Sequence, residues 1–228
     1  AKCLRMQGKC LYYIKRYDEA WMLMNQALDI AIQIDNKKQI VACHKQLYYL
    51  CREFKRMMNE RGDEQASTLF FRESLLHEMY FSEKPRLAEL TVRYEALRCD
   101  IMQQYYMNKD YDNVIRIATS LDFHDDTDPN ASCLVYYYKA QAYVKLENYP
   151  MAKEAFFREL ELRKKYLGWE DEDTILACQN LGVLHSFCNE REEALACFRE
   201  AYGHEVKKNG EDSEMAQKLL QYISVVES

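Results

Sequence analysis

The chain has 228 residues, of which 48% are hydrophobic and 30% are charged, and its formal net charge is −6. This acidic balance argues against a protein that neutralises many phosphates of a nucleic acid, and no apolar run approaches the roughly 18 residues that a membrane-spanning helix needs. Only six glycines and three prolines occur. So few backbone breakers predict long helices, short turns and an all-α fold.

Pairs of helices are predicted along the whole chain. The predicted spans, in chain order, are 1–15 with 18–34, 37–59 with 63–81, 86–107 with a helix restarting at Tyr111, 132–146 with 149–166, 173–188 with 191–207, and a last helix at 212–226. Pro85 begins the third pair, and an acidic loop at 122–130 separates it from the fourth. The last helix is expected to cap the otherwise exposed end of a stack.

Small residues recur with a nearly constant spacing in three of these pairs. Such residues are needed where two helices cross closely, and a 12-residue step carries that contact through a turn into the antiparallel partner helix. The pattern therefore predicts a stack of helical hairpins. The three sets are Gly8, Ala20 and Ala27; Ala140, Ala152 and Glu159; and Gly182, Ala194 and Ala201.

The surrounding residues resemble the tetratricopeptide repeat (TPR). The segment from Ala140 to Gly182 is also similar to the long-helix repeats of kinesin light chains and of related bacterial proteins. The resemblance implies a right-handed α-solenoid of about five hairpins plus a C-terminal capping helix, as one domain over residues 1–228. Because the sequence starts at Ala1 within the repeat pattern and without an initiator Met, we expect it to be a fragment of a longer protein. The residues that carry it are Leu4, Gly8, Leu11, Tyr17–Ala20, Met24 and Ala27 near the start, and Leu162–Gly168, Asp173, Thr174, Asn180–Gly182, His185, Glu192–Ala194, Phe198 and Ala201 near the end.

In this family the first helix of each pair lines a concave groove, so the resemblance implies a non-enzymatic protein that binds another protein or a peptide. Arg5 and Lys9 stand where chaperone-binding members hold a carboxylate, which suits a partner with an acidic group. Asn180 matches an asparagine that holds the backbone of an extended peptide. The groove residues carried over are Lys2, Arg5, Lys9, Tyr12, Cys99, Gln103, Tyr106, Tyr137, Tyr138, Gln141, Gln179, Asn180, Val183 and Ser186.

The 18 tyrosines support a recognition surface, because tyrosine offers a large rigid area and a hydroxyl group at little entropic cost. The alternative is that these rings fill the seams between repeats. Catalytic and metal-binding motifs are incomplete: His77 and Glu78 begin like a zinc-protease helix, but Phe81 replaces the second histidine ligand. Asp126, Asp128 and Asn130 have the alternate spacing of a calcium-binding loop, but Ala131 stands where such a loop needs a glycine for its turn. The sequence therefore predicts no enzyme, cofactor or metal site.

Nine cysteines occur, with no CxxC pair. An odd, scattered set predicts free thiols in a reducing compartment, the cytoplasm, rather than a disulfide framework. Two other functions remain open. The first alternative is a ligand-sensing regulatory domain of a larger signalling or defence protein. The second is nucleic-acid binding through the basic first hairpins, although the net negative charge argues against it.

Overall fold

The computed structural model describes residues 1–82, 94–120 and 129–228, and helices are the only regular secondary structure within those ranges. The predicted all-α class is confirmed. Two compact units are present, unit 1 at Ala1–Asp125 and unit 2 at Asp126–Ser228. The single domain over residues 1–228 stays a prediction. In the described part of the chain, no helix combines the length and apolar character that crossing a membrane requires.

Unit 1 is a series of antiparallel helices in which each described helix packs on the next. Its core contains Met24, Leu28, Leu47 and Phe54. The last helix of the unit, Tyr111–Ser120, also contacts the second helix, Tyr17–Gln33, so helices from the two ends of the unit pack together. Pro85 and the predicted helical residues 86–93 lie outside the described residues. The helices are α1 (Lys2–Tyr13), α2 (Tyr17–Gln33), α3 (Lys37–Arg61), α4 (Glu64–Glu78), α5 (Tyr94–Met107) and α6 (Tyr111–Ser120).

Unit 2 repeats the hairpin pattern around a core that includes Phe156, Ile175, Phe198 and Leu219. Its last helix packs on the one before it, as the predicted cap requires. The predicted loop at 122–130 is wrong at its end, because Pro129 and the next residue begin a helix; proline suits a first turn, where its missing N–H has no acceptor. The rest of that loop lies outside the described residues. The helices are α7 (Pro129–Lys145), α8 (Tyr149–Tyr166), α9 (Glu172–Phe187), α10 (Arg191–Asn209) and α11 (Glu214–Glu227).

The repeated small residues lie at close helix crossings. An added Cβ on Gly8 of α1 would lie 3.0 Å from Met24 Cε on α2. On Gly182 of α9 it would lie 2.8 Å from Phe198 Cε1 on α10. At Gly182 the ring leaves no room for a larger residue, and at Gly8 a larger residue would have to displace the flexible end of Met24 and come within 3.3 Å of the Ala20 carbonyl, so both glycines lie at close crossings, as their spacing predicts.

Each described turn between consecutive helices contains one residue with positive φ. After Lys15, Asp35, Gly62, Lys109, Glu147 and Asn189 the following N–H bonds back across the turn, as Glu190 N–H does to the His185 carbonyl at 2.9 Å, and this Schellman geometry satisfies one of the last carbonyls of the helix. Non-glycine residues dominate the turns within hairpins. The turns within hairpins use Lys15, Gly62, Lys109, Glu147 and Asn189, and those between hairpins use Asp35, Gly168 and Gly210.

All nine cysteines are free, but their exposure varies. Cys3 and Cys10 are exposed on α1, Cys188 and Cys197 are partly buried, and the remaining five are buried. We expect the native protein to react quickly with a thiol reagent at the two exposed sites and slowly elsewhere, because buried thiols are inert until the chain opens. In denaturant all nine thiols should react, and a reductant should leave the melting temperature of the native protein unchanged. Fast labelling of a buried site such as Cys51 would contradict the packing.

Candidate peptide-binding groove

The main candidate site is an open cavity of about 430 Å³ in unit 2, here called the groove. Its walls come from α7 and α9, the first helices of their hairpins, with the beginning of α8 between them. Phe187 is 66% exposed and Val183 41% exposed, although both are apolar. The lining residues are Gln141, Val144, Lys145, Glu147, Tyr149, Phe156, Asn180, Val183, Leu184 and Phe187.

Helical spacing explains why these side chains share one surface. Residues three, four and seven positions apart lie on the same face of an α-helix. On α9 that spacing relates Asn180 to Val183, Leu184 and Phe187, and on α7 it relates Gln141 to the next lining residues. On α9 one amide is therefore followed by three apolar groups, and on α7 one amide is followed by Val144 and Lys145.

A polar network holds the end of α9 at the groove rim. Glu190 accepts a bond from Lys153, and its other oxygen lies 2.6 Å from His185 Nδ1. The hydrogen bond from Lys153 and, to a smaller extent, the one with His185 lower the pKa of Glu190. Beside this network the ring of Phe187 packs against Tyr149, with ring centres 5.1 Å apart. The network thus ties the turn after α9 to α8 and fixes one wall of the groove.

A smaller cavity of about 90 Å³, here called the Glu159 subsite, adjoins the groove at Asn180. At its base Arg163 Nε donates a bond to Glu159 Oε1 at 2.8 Å, and both residues are 2% exposed. Burial raises the pKa of Glu159 to about 7, because it outweighs the bond and charge of Arg163. The lining residues are Leu134, Tyr137, Glu159, Arg163, Asp173, Leu176, Ala177 and Asn180.

The structure brings some of the predicted binding residues of unit 2 together. Gln141 and Asn180 line the groove, and Tyr137 joins Asn180 at the Glu159 subsite. Tyr138 is half-buried, with its ring centre 5.4 Å from that of Tyr137. Gln179 is 4% exposed and is not among the lining residues of the groove, whereas its neighbour Asn180 is. A binding role for Gln179 stays a prediction.

The predicted residues of unit 1 on α1 have separate surroundings. Tyr12 lines a cavity of about 430 Å³ together with Arg52 and Lys55 of α3. Arg5 Nε donates to Gln39 at 3.1 Å. Lys2 is exposed, and Lys9 Nζ lies 5.8 Å from the ring centre of Tyr13.

On α5, Gln103 lines a different cavity, of about 540 Å³. Tyr106 packs against Tyr111, with ring centres 5.5 Å apart. Cys99 is buried, and its place in a groove stays a prediction. A carboxylate site at Arg5 and Lys9 stays a prediction.

Sequence reasoning missed a buried polar cluster in unit 1 that is centred on Glu73 of α4. Arg116 Nη2 of α6 lies 2.6 Å from Glu73 Oε1, and the hydroxyl of Tyr105 on α5 donates to Oε2 at 2.8 Å. Burial opposes ionisation of Glu73, but Arg116, His77 and Tyr105 together lower its pKa to about 2. One ionised carboxylate therefore joins α4, α5 and α6.

Two histidines extend this cluster into α3. Burial lowers the pKa of both His44 and His77, so both rings are neutral. Their Nδ1 atoms are 2.9 Å apart, so one must donate and the other accept. His77 Nε2 faces Glu73 Oε1 at 3.6 Å, which favours a proton on that nitrogen. His44 Nδ1–H then donates to His77 Nδ1.

Cys51, Glu73 and His77 present ligand atoms within 4.8 Å of one another, and residues of these types can bind Zn²⁺. Arg116, however, already places a positive charge on the same carboxylate, and a second cation there would be repelled. His44 and His77 are also fully buried. The arrangement therefore favours a structural ion-pair centre over a metal or catalytic site.

No family model matches the sequence, and no curated protein matches it. Among solved structures, the fold is similar to that in the crystal structure of BtubC (BKLC) from P. vanneervenii, with a TM-score of 0.55 and 13% identity. The match covers 89% of this chain and 80% of that chain. At this identity the likeness shows the fold: an all-helical repeat architecture.

Proposed function

We propose that the chain is a TPR-like, non-enzymatic scaffold of the cytoplasm that binds an extended peptide segment of another protein in the unit 2 groove. The observation that carries this is an accessible apolar wall, Phe187 and Val183, beside the amides of Gln141 and Asn180. Apolar side chains of a peptide would gain from burial there, and amides can pair with its backbone N–H and C=O groups. The similarity in fold to BtubC supports a helical repeat scaffold.

A random-peptide library displayed on phage provides the test, because it presumes no particular partner. We expect the chain to enrich a set of related peptides. Phe187→Ala should weaken the best of them by about tenfold or more, since the ring offers the most exposed apolar area of the wall. Asn180→Ala should weaken it through the lost backbone bond.

Phe157→Ala is the matched control, because Phe157 is 51% exposed on α8 and is not among the groove's lining residues. That variant should bind like the wild type, and all variants should keep their melting curves. If Phe187→Ala and Phe157→Ala bound the peptide equally well, or if no peptide were enriched, the proposal that the groove binds a peptide would be contradicted. The regulatory domain of a larger signalling or defence protein stays a prediction.

A further inference from the structure

Glu159 departs from the repeat pattern in a way that helix packing does not explain. The equivalent residues Ala27 and Ala201 are fully buried methyl groups, whereas Glu159 buries a carboxylate. Arg163 satisfies Oε1, but Oε2 has no hydrogen-bond partner in the described part of the chain. A buried carboxylate with one unsatisfied oxygen is costly, so a missing donor is indicated.

The Glu159 subsite gives that donor room and a route. Its volume of about 90 Å³ is that of about three water molecules, enough for the end of a long side chain. Leu134, Leu176 and Ala177 provide apolar walls that suit an alkyl stem. Asn180 lines both cavities, so a peptide held in the groove passes the entrance.

The charges around the subsite favour a cation. Glu159 and Asp173 contribute carboxylates, and Asp171 lies 3.9 Å from Arg163 Nη1, whereas Arg163 is the one cationic residue of the lining. Arg163 Nη1 also donates to Asp173 at 3.3 Å, so its charge is shared. The remaining titratable groups that face Glu159, Cys133 and Tyr137 of α7, bring no positive charge.

We propose that the Glu159 subsite binds the ammonium group of a lysine in the peptide that occupies the groove, with Glu159 Oε2 as the acceptor; this rests on the proposed function. The ammonium is a compact donor on a flexible apolar stem, which fits one unsatisfied oxygen at the end of an apolar passage. Arginine, with its planar fork, would need paired acceptors.

This chemistry makes lysine binding depend on pH. Because burial raises the pKa of Glu159 to about 7, the carboxyl is partly protonated near neutrality. An ammonium group at Oε2 favours the ionised form and lowers that pKa. Binding of the lysine should therefore strengthen between about pH 6 and pH 8, and it should weaken as Glu159 protonates.

The first experiment compares phage selections on the wild type and on Glu159→Ala, which restores the residue found at Ala27 and Ala201. Wild-type selections should give peptides with a lysine at one fixed position. Replacing that lysine by norleucine should cost about tenfold in Kd at about pH 8. The lysine and norleucine peptides should bind equally well to Glu159→Ala. Glu161→Ala is the control, because Glu161 is an exposed acidic residue on the same helix, and this variant should discriminate between the peptides as the wild type does. Enriched peptides without a fixed lysine would overturn the subsite and leave the groove intact.

The second experiment needs no peptide, so it separates the subsite from the groove. The ¹³C NMR titration of the Glu159 carboxyl, identified by its loss in Glu159→Gln, should show a lower pKa in n-butylammonium than in n-butanol. The shift should persist in Phe187→Ala, whose groove wall is removed. An unchanged pKa in n-butylammonium would overturn the proposal.

Discussion

Glu73→Gln should lower the free energy of unfolding by about 3–5 kcal/mol. The substitution keeps the size of the side chain but removes the charge that balances the buried guanidinium of Arg116, 2.6 Å away. Urea unfolding followed by the helical circular dichroism signal would measure the loss. The same loss should appear in the wild type as acid titrates the carboxylate. Its folded pKa of about 2 lies below the ordinary 4.5, so its contribution is complete above pH 4.5 and is lost as the pH falls towards 2.

Glu60→Gln is the matched control for this experiment. Glu60 also pairs with an arginine, Arg56, at 2.5 Å, but the two side chains are 63% and 56% exposed. Solvent screens such pairs, so this change should cost less than about 1 kcal/mol. Similar losses for Glu73→Gln and Glu60→Gln would show that the buried cluster does not hold unit 1 together.

Gly182→Leu should destabilise unit 2 by about 1–3 kcal/mol or more, because the α9–α10 crossing has no room for a side chain. Even the Cβ would lie 2.8 and 2.9 Å from the ring of Phe198 and 3.0 Å from Cys197 Cβ. The ring is fully buried, so it cannot move aside without disturbing the core. Thermal unfolding of the variant would measure the effect.

Gly203→Leu on α10 separates overpacking from any general effect of replacing a helical glycine. Apart from its chain neighbours and the nearby backbone of α10 itself, no heavy atom lies within 4 Å of the Cβ position at Gly203. Leucine has the higher helix propensity, so this variant should gain about 0.5–1 kcal/mol. The prediction fails if both leucine variants melt at the same temperature as the wild type.

Local signals in the sequence were sufficient for most of the fold. The helix starts near Tyr17 and Tyr149 follow from residues of the first turn, acidic Asp18 and Glu19 in one and Pro150 in the other, and the glycine at 182 marked a true close crossing. The spacing placed Glu159 where the other two repeats have alanine, but it did not indicate the cavity beside that residue. The direction in which each side chain points was harder to predict from the sequence. One position along a helix rotates a side chain by about 100°, and this rotation separates buried Gln179 from Asn180, which lines the groove.

The buried cluster could not be predicted because no local pattern joins its members. His44 and His77 are 33 residues apart, and Glu73 and Tyr105 are 32 apart. Their contacts depend on how α3, α4 and α5 pack, which follows from the whole of unit 1. His77 suggested only an incomplete zinc-protease motif, and nothing in the sequence linked it to Glu73 or Tyr105.

The left-handed turns have a consequence for how unit 2 deforms. Glu147 and Asn189, within the two hairpins, carry a Cβ at positive φ, whereas Gly168, which joins the hairpins, does not. A Cβ confines the backbone to a narrow left-handed region, and glycine leaves it wider freedom. Each hairpin should therefore behave as a stiff block and Gly168 as the compliant joint between blocks. The groove lies between α7 and α9, on opposite sides of that joint, so its width depends both on the backbone at Gly168 and on the bond from Lys153 of α8 to Glu190, which links the two hairpins.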